Sequence, residues 1–454
     1  MINRKLKNIA SMVKGYINKE KYQNLQINGV SIDTRTINKG QLFIPIIGEN
    51  TDGHKYIETA SKKGATASFW DEKIPLPKID IPLILVKDTT KALQDLSKEY
   101  NSQVGSKVVG ITGSNGKTST KDIIYSILKS KYKTHKTSGN FNNEYGLPLT
   151  ILSMEEETEI EVLEMGMSGL GDIKLLCEIA PPDIAVITNS TDVHINDLGS
   201  VENILKAKME IAEGVKKEGI LVYLGDSPPL KKAVENLHRN INKISFGENP
   251  INNYTTEFCF STNKGINLKV NEKEYFLPML GRHNIYNAAA AVAVAENLGF
   301  NAEEIENSIQ HIDSTGLRNE LIKGDDFHIL NDAYKSNPSS LRFALETLYD
   351  LKGYSQKIIV LGDMFGTGDN EVENHITIGE EIDPNKVDMV FTLGELGEYF
   401  AKGAQKNFGK DKIHSYKDLD DLAQNLKPNI MKDSIILIKG SRILEMERLL
   451  DKIL

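Results

Sequence analysis

Residues 107–118 read KVVGITGSNGKT: an apolar run, a glycine-rich turn, then Lys-Thr opening a helix-forming stretch. That order of residue types suits an anion. Successive backbone N–H groups and the start of a helix can face a phosphate, and glycines let the backbone approach it closely. Gly113, Asn115, Gly116 and Ser119 belong to this turn and the first helical residues. Lys117 is placed to reach terminal phosphates, and the Thr118 hydroxyl to bind Mg²⁺. The strict spacing would put the first glycine at Ile111, whereas it stands one position earlier at Gly110. The plainer alternative is an ordinary glycine-rich turn between strand and helix.

Other residues bear chemistry only in company. Glu164 falls at the end of a strand read in EIEVLEM, and open α/β sheets place ligands at the carboxyl ends of their strands. A carboxylate there could bind Mg²⁺ or simply be solvated. In the stretch 200–217, Ile204, Lys208, Ile211 and Val215 share one helical stripe, while Lys206, Glu210, Glu213 and Lys217 share the opposite one. Lys208 therefore points where the apolar residues point. A desolvated lysine is readily neutral and can take up CO₂ as a carbamate, which is an anionic metal ligand. A lysine that snorkels to water fits the same periodicity. His194 could add an imidazole to a metal or be a surface residue. Asn284 and Asn287 lie three apart at a helix start, where carboxamides can pair with a purine edge or act as caps. Thr34 and Arg35 could hold a pyrophosphate or pyrimidine nucleotide, or form a polar turn.

Positioning such residues needs a layered scaffold. From Lys107 to Leu298, short apolar runs alternate with helical patterns, which predicts a mostly parallel sheet with helices on both faces. A hairpin-rich stretch, 249–278, interrupts it late, and the Ala-rich helix 284–298 closes it. A second alternation runs from Phe327 to Ile438. Ahead of both, 42–47 and 82–86 read as strands and 89–100 as a helix, followed by a small, polar linker at 101–106. The chain is thus read as three α/β domains: 1–103, 104–313 and 314–454. The central one is P-loop ATPase-like, and the last is Rossmann-like.

Composition sets the outer bounds. The chain has 454 residues, 40% hydrophobic and 26% charged, with a formal net charge of −9. That excludes bulk disorder and argues against a nucleic-acid polymer as partner. No apolar run approaches the length that spans a bilayer, and the N-terminus lacks an apolar signal core. Two cysteines, far apart, suit a reducing cytoplasm and no zinc or disulfide framework.

Together these segments resemble the Mur ligases, ATP-dependent amide-bond formers. The resemblance runs nearly end to end, through SIDTRTINKGQLFIPIIGENTDGHKYI, GITGSNGKTSTKD, GNFNNEYGLPLTIL, EVLEMGMSGLGDI, LGSVENILKAKMEI, LGRHNIYNAAAAVAVA, DAYKSNPSS, VLGDMFGTGD and LIKGSRILEME. GNFNNE, DAY-x-x-NP and LGDM favour the member that joins D-alanyl-D-alanine to the UDP-N-acetylmuramoyl tripeptide. A DNPR-type segment, typical of the member that adds diaminopimelate, is not found. The rival readings are a Mur ligase adding another amino acid and a nucleotide-binding relative without catalysis.

The resemblance implies a role for each residue. It makes the first domain the uridine-nucleotide-binding one, with Thr34 and Arg35 at the uridine-diphosphate end. ATP would bind between the central and last domains, and the last would bind the incoming dipeptide. Two Mg²⁺ sites are implied, one at Thr118 and Glu164, the other at His194 and a carbamylated Lys208. Lys117, Lys208, His194 and Glu164 would carry catalysis, Asn284 and Asn287 would contact adenine, and Arg318 would reach the phosphates. Asp332 would bind the ribose, while Asn142, Asn143 and Asn337 would lie near the peptide substrates. A cytoplasmic monomer is expected. Three departures stand out: His194 is followed by Ile-Asn-Asp where a glutamate is usual, Lys335 replaces an asparagine, and GDMFGTGD lacks Glu-Leu-Gly.

Overall fold

The computed structural model describes the whole chain except residues 49–50, 192–197, 314, 367 and 369. Its centre is a nine-stranded sheet. Seven strands run parallel, in the order Thr134–Lys136, Ile160–Glu164, Lys107–Thr112, Ile184–Ile187, Ile220–Leu224, Asn242–Gly247 and Tyr254–Thr262. Gly265–Val270 and Lys273–Leu277 then add antiparallel, as the hairpin-rich stretch predicts. The inner strands are buried on both faces, so they read as continuous apolar runs rather than alternating ones. The Ala-rich helix Asn284–Asn297 packs against the helix Lys117–Leu128, and small side chains let the two approach closely. Helices Gly146–Ser153, Pro228–Glu235 and Ala302–Ile309 are additional to the sequence reading.

The N-terminal part holds a five-stranded sheet, ordered Tyr16–Ile17, Leu83–Val86, Ala67–Asp71, Leu42–Phe43 and Val30–Ser31. The predicted linker at 101–106 is mostly helix instead. Helix Thr89–Val104 starts at Asp88, whose side chain accepts from the Lys91 N–H, and stops only at Gly105. Its last turns are held by tertiary burial: Tyr100 is fully buried and donates its hydroxyl to the Met154 carbonyl (3.0 Å). Leu93, Leu96 and Tyr100 join Leu147, Ile151 and Met154 in one apolar cluster, so the N-terminal part shares a core with one face of the central sheet. Polar composition suggested a break there, and packing overrode it.

The C-terminal part is a six-stranded sheet, ordered Glu320–Lys323, Phe327–Asn331, Ser434–Lys439, Gln356–Gly362, Met389–Leu393 and Ile413–Tyr416. All pairs are parallel except at the edge strand Glu320–Lys323. Helix Pro338–Asp350 has a proline in its first turn and a capping box between Asn337 and Ser340, which fix where it starts. This helix lies along the central part, and Leu280 from that part enters the C-terminal apolar core. No helix among the described residues is long and apolar enough to cross a membrane.

Candidate active site

The turn after strand Lys107–Thr112 folds as the phosphate-loop pattern predicts. A Cβ at Gly113 would stand 1.9 Å from Thr188 Oγ1, and the residue has φ +152°, so only glycine fits. The neighbouring strand end holds the loop backbone. Asn189 Oδ1 accepts from the Asn115 N–H (2.9 Å), and the Asn115 carbonyl accepts from Thr188 Oγ1 (2.6 Å) and Asn189 Nδ2 (3.1 Å). Lys117 opens the helix and folds back to donate to the Gly113 carbonyl (2.7 Å). Burial pushes its ammonium down to about 8. Lys335 and Arg318 push the same way, and Glu164 opposes them.

Below the loop, the Thr118 hydroxyl donates to Glu164 Oε2 (2.8 Å), and Asn142 Nδ2 donates to Glu164 Oε1 (2.8 Å). Glu164 is 3% exposed, at the carboxyl end of its strand. A hydroxyl and a carboxylate meeting at the foot of a phosphate loop fit a hard divalent cation, which takes oxygen ligands and keeps waters and phosphate oxygens.

Helix Val201–Gly214 settles the phase question. Ser200 caps it, Lys206 is exposed, and Lys208 is 1% exposed among Ile204, Ala207, Ile211 and Ala212. Lys208 therefore does not snorkel to water. Burial pushes its ammonium well below the ordinary lysine value, and Lys117 and Lys335 push in the same direction. A buried amine beside two cations favours a form that is not itself positive. His194 lies outside the described residues.

These elements enclose a cavity of about 1060 Å³ between the central and C-terminal parts. Asn115, Gly116, Lys117, Thr118, Ser119, Asn142, Asn143, Glu164, Asn284, Asn287, Arg318, Asp332 and Asn337 all line it. At one end, Asn287 Nδ2 donates to Asn284 Oδ1 (2.8 Å), and Asn287 Oδ1 accepts from Thr120 (3.1 Å). Asn284 Nδ2 donates to the Leu280 carbonyl (2.8 Å), so neither carboxamide caps the helix start. From the C-terminal side, Asp332 accepts from the buried Lys439 ammonium (2.5 Å), and Arg318 lies 4.2 Å from the Tyr334 ring centre. Asn337 faces the phosphate loop and donates to Asn115 Oδ1 (3.0 Å). Gly113 and Lys208 are not among the residues that line the cavity. Thr34 and Arg35 are not part of it: Arg35 is exposed and pairs with Asp33 (2.7 Å). The sequence reading did not pick Thr188, Asn189, His283, Tyr334 or Lys439 as wall residues. Only Lys439, an isolated cation after the apolar run SIILI, carried a local signal.

A phosphate loop, a buried carboxylate behind it and a second α/β domain closing over both define a nucleotide-dependent ligase fold, and the chain belongs to the Mur ligase family. Residues 111–295 match the Mur ligase middle domain, 317–442 the Mur ligase glutamate ligase domain, and 26–101 the Mur ligase family catalytic domain. Over 99% of its length the chain is 44% identical to the UDP-N-acetylmuramoyl-tripeptide–D-alanyl-D-alanine ligase of Bacillus subtilis, covering 98% of that protein. It is 30% identical to the Escherichia coli enzyme of the same name, with 93% of each chain covered. Among solved structures, MurF from Acinetobacter baumannii superposes with a TM-score of 0.89 at 26% identity, over 100% of this chain and 99% of that one. MurF from Thermotoga maritima, in complex with ADP, does so with a TM-score of 0.81 at 29% identity, over 94% and 97%.

Proposed function

We infer that this chain joins D-alanyl-D-alanine to the UDP-N-acetylmuramoyl tripeptide, using ATP and releasing ADP and phosphate. The observation that carries the reading is the Thr118–Glu164 pair at the foot of the phosphate loop, in a cavity walled by two domains. The full-length likeness to ligases of that name supplies the substrates.

The chemistry divides into two displacements. An oxygen of the tripeptide carboxylate attacks the γ-phosphorus, the bond to the ADP oxygen breaks, and an acyl phosphate forms. The dipeptide amine then attacks the acyl carbon, phosphate leaves, and the amine gives up a proton. Both steps gather negative charge on oxygens, which placed cations stabilise. The phosphate-loop N–H groups and Lys117 hold the β- and γ-phosphates. Thr118 and Glu164 would hold one Mg²⁺, and His194 with a carbamylated Lys208 a second. Bound there, the metals would neutralise phosphate charge. Arg318 adds a cation from the C-terminal side, Asp332 takes the ribose hydroxyls, and Asn284 with Asn287 face the adenine. Closure of the C-terminal domain keeps water from the acyl phosphate.

In this scheme residues 1–103 carry the uridine end through Thr34 and Arg35, residues 104–313 carry ATP, and residues 314–454 carry the dipeptide. Asn142, Asn143 and Asn337 are the residues assigned to the peptide substrates.

The direct test supplies ATP, Mg²⁺, D-alanyl-D-alanine and UDP-muramoyl precursors of defined length. Phosphate release and a product heavier by the dipeptide are expected only with the tripeptide. Turnover with a shorter precursor and a single amino acid would move the chain to another branch of the family. No turnover with any precursor would leave a nucleotide-binding relative.

A further inference from the structure

One face of helix Pro338–Asp350 meets both ends of the nucleotide cavity. Ser339, Phe343 and Thr347 follow at i, i+4 and i+8, so they form a single stripe. At its start, Asn115, Ser339 and Asn337 close a ring of hydrogen bonds. Asn115 Nδ2 donates to Ser339 Oγ (2.9 Å), Ser339 Oγ donates to Asn337 Oδ1 (2.9 Å), and Asn337 Nδ2 donates to Asn115 Oδ1 (3.0 Å). Four residues on, the Phe343 ring stacks on His283, just ahead of Asn284, with centres 5.0 Å apart and planes 26° from parallel. One turn further, Thr347 Oγ1 packs against Gly281 so closely that a Cβ there would stand 2.7 Å from it.

The ring divides the control of Asn115. Its backbone is held by Thr188 and Asn189 of the central part, whatever the C-terminal domain does. Among the described residues, its side chain is held by the C-terminal domain, by residues more than 200 positions away. We propose that Ser339 and Asn337 are positioning residues that set the Asn115 side chain in the phosphate loop. Together with the Phe343–His283 stack, they form a latch that makes tight nucleotide binding depend on docking of the C-terminal domain. The latch rests on the nucleotide reading of the cavity given above, not on the identity of the peptide substrates.

Ser339 is the informative position, because Asn337 also caps the helix and its loss would disturb folding. The intact chain is titrated calorimetrically with the non-hydrolysable analogue AMPPNP and Mg²⁺. Ser339→Ala is expected to bind about fivefold more weakly than wild type, the weight of its one hydrogen bond to Asn115 across the domains. Ser339→Thr keeps the hydroxyl and should restore affinity to within about twofold, with thermal midpoints unchanged in both. Wild-type affinity in Ser339→Ala, or failure of Ser339→Thr to restore binding, overturns the latch while leaving the function reading intact. Normal analogue binding without ligase turnover on the tripeptide overturns the substrate assignment and leaves the latch standing. Absence of analogue binding to wild type sinks both.

Discussion

The Thr118 hydroxyl and the Glu164 carboxylate, 46 positions apart in the chain, meet at 2.8 Å beneath the phosphate loop. Asn142 occupies the other Glu164 oxygen, so the carboxylate is held in one orientation. That pair is the most direct test of the metal reading. Glu164→Gln keeps the size and an acceptor for Thr118 but removes the charge. It should lower kcat by about 10²–10³-fold and raise the Mg²⁺ concentration needed for half-maximal rate. Thr118→Val should weaken Mg²⁺ affinity by about 10–100-fold, raising the concentration needed for half-maximal rate. A Mg²⁺ titration of each variant decides. An unchanged midpoint in Glu164→Gln would remove the carboxylate from the metal site.

Lys208 is 1% exposed and has two cationic neighbours, which makes an ammonium costly there. Lys208→Ala should lose nearly all activity, and short carboxylic acids should restore part of it by standing in for the carbamate. Full activity in that variant with no acid added would contradict the assignment. A mass increment on Lys208 after CO₂ trapping is an independent readout.

The Asp332–Lys439 pair joins a carboxylate on the cavity wall to an ammonium that is 1% exposed. The same ammonium donates to the Lys335 carbonyl (2.9 Å), fixing the loop that carries Tyr334 and Lys335. Lys439→Met leaves Asp332 without its partner and frees that loop. A loss of about 3 kcal/mol in denaturant unfolding is expected, at the low end for a broken buried pair because Asp332 still meets the cavity. The KM for ATP should rise as well. A variant as stable as wild type would show that the pair contributes nothing net.

Glu161 is buried on the central sheet beneath helix Thr89–Val104, with Oε1 accepting from Ser106 (3.1 Å) and the Asn101 side chain beside the carboxyl. Burial pushes its carboxyl up to about 8 from 4.5. The folded chain thus holds a proton that the unfolded chain has released. Stability from this group is present below about 4.5, falls as pH rises through about 8, and stays low above. Glu161→Gln removes that slope. Its thermal midpoint should exceed that of wild type most at pH 8–9, with the gap closing toward pH 5. A constant gap across that range would mean that Glu161 does not change protonation on unfolding.

Much of the scaffold could be read from local pattern. Central strands buried on both faces are continuous apolar runs, and each crossover helix carries its own 3.6-residue stripe. Lys208 was legible for the same reason: burial on a regular helix follows from phase. Helix Thr89–Val104 misled, because its last turn is polar in composition and is held by Tyr100 and Met154 across the fold. Apart from Lys439, which ends the strand Ser434–Lys439, the unpicked wall residues are ordinary polar or aromatic types outside the regular elements, where no period marks them.

The boundary between the two kinds of knowledge is the range of the forces involved. Backbone hydrogen bonding, capping and amphipathic period act within a few residues, so the chain alone specified the three α/β parts, the phosphate loop and the buried face of Lys208. Which carboxylate meets Thr118, which ammonium holds Asp332 and which helix face reaches Asn115 depend on groups brought together from distant positions. Each such contact exists only once apolar burial has closed the sheets and docked the domains. Hydrogen bonds from Asn115 to Ser339 and from Lys439 to Asp332 leave no trace in local sequence, because the partners share no neighbourhood until the chain has folded.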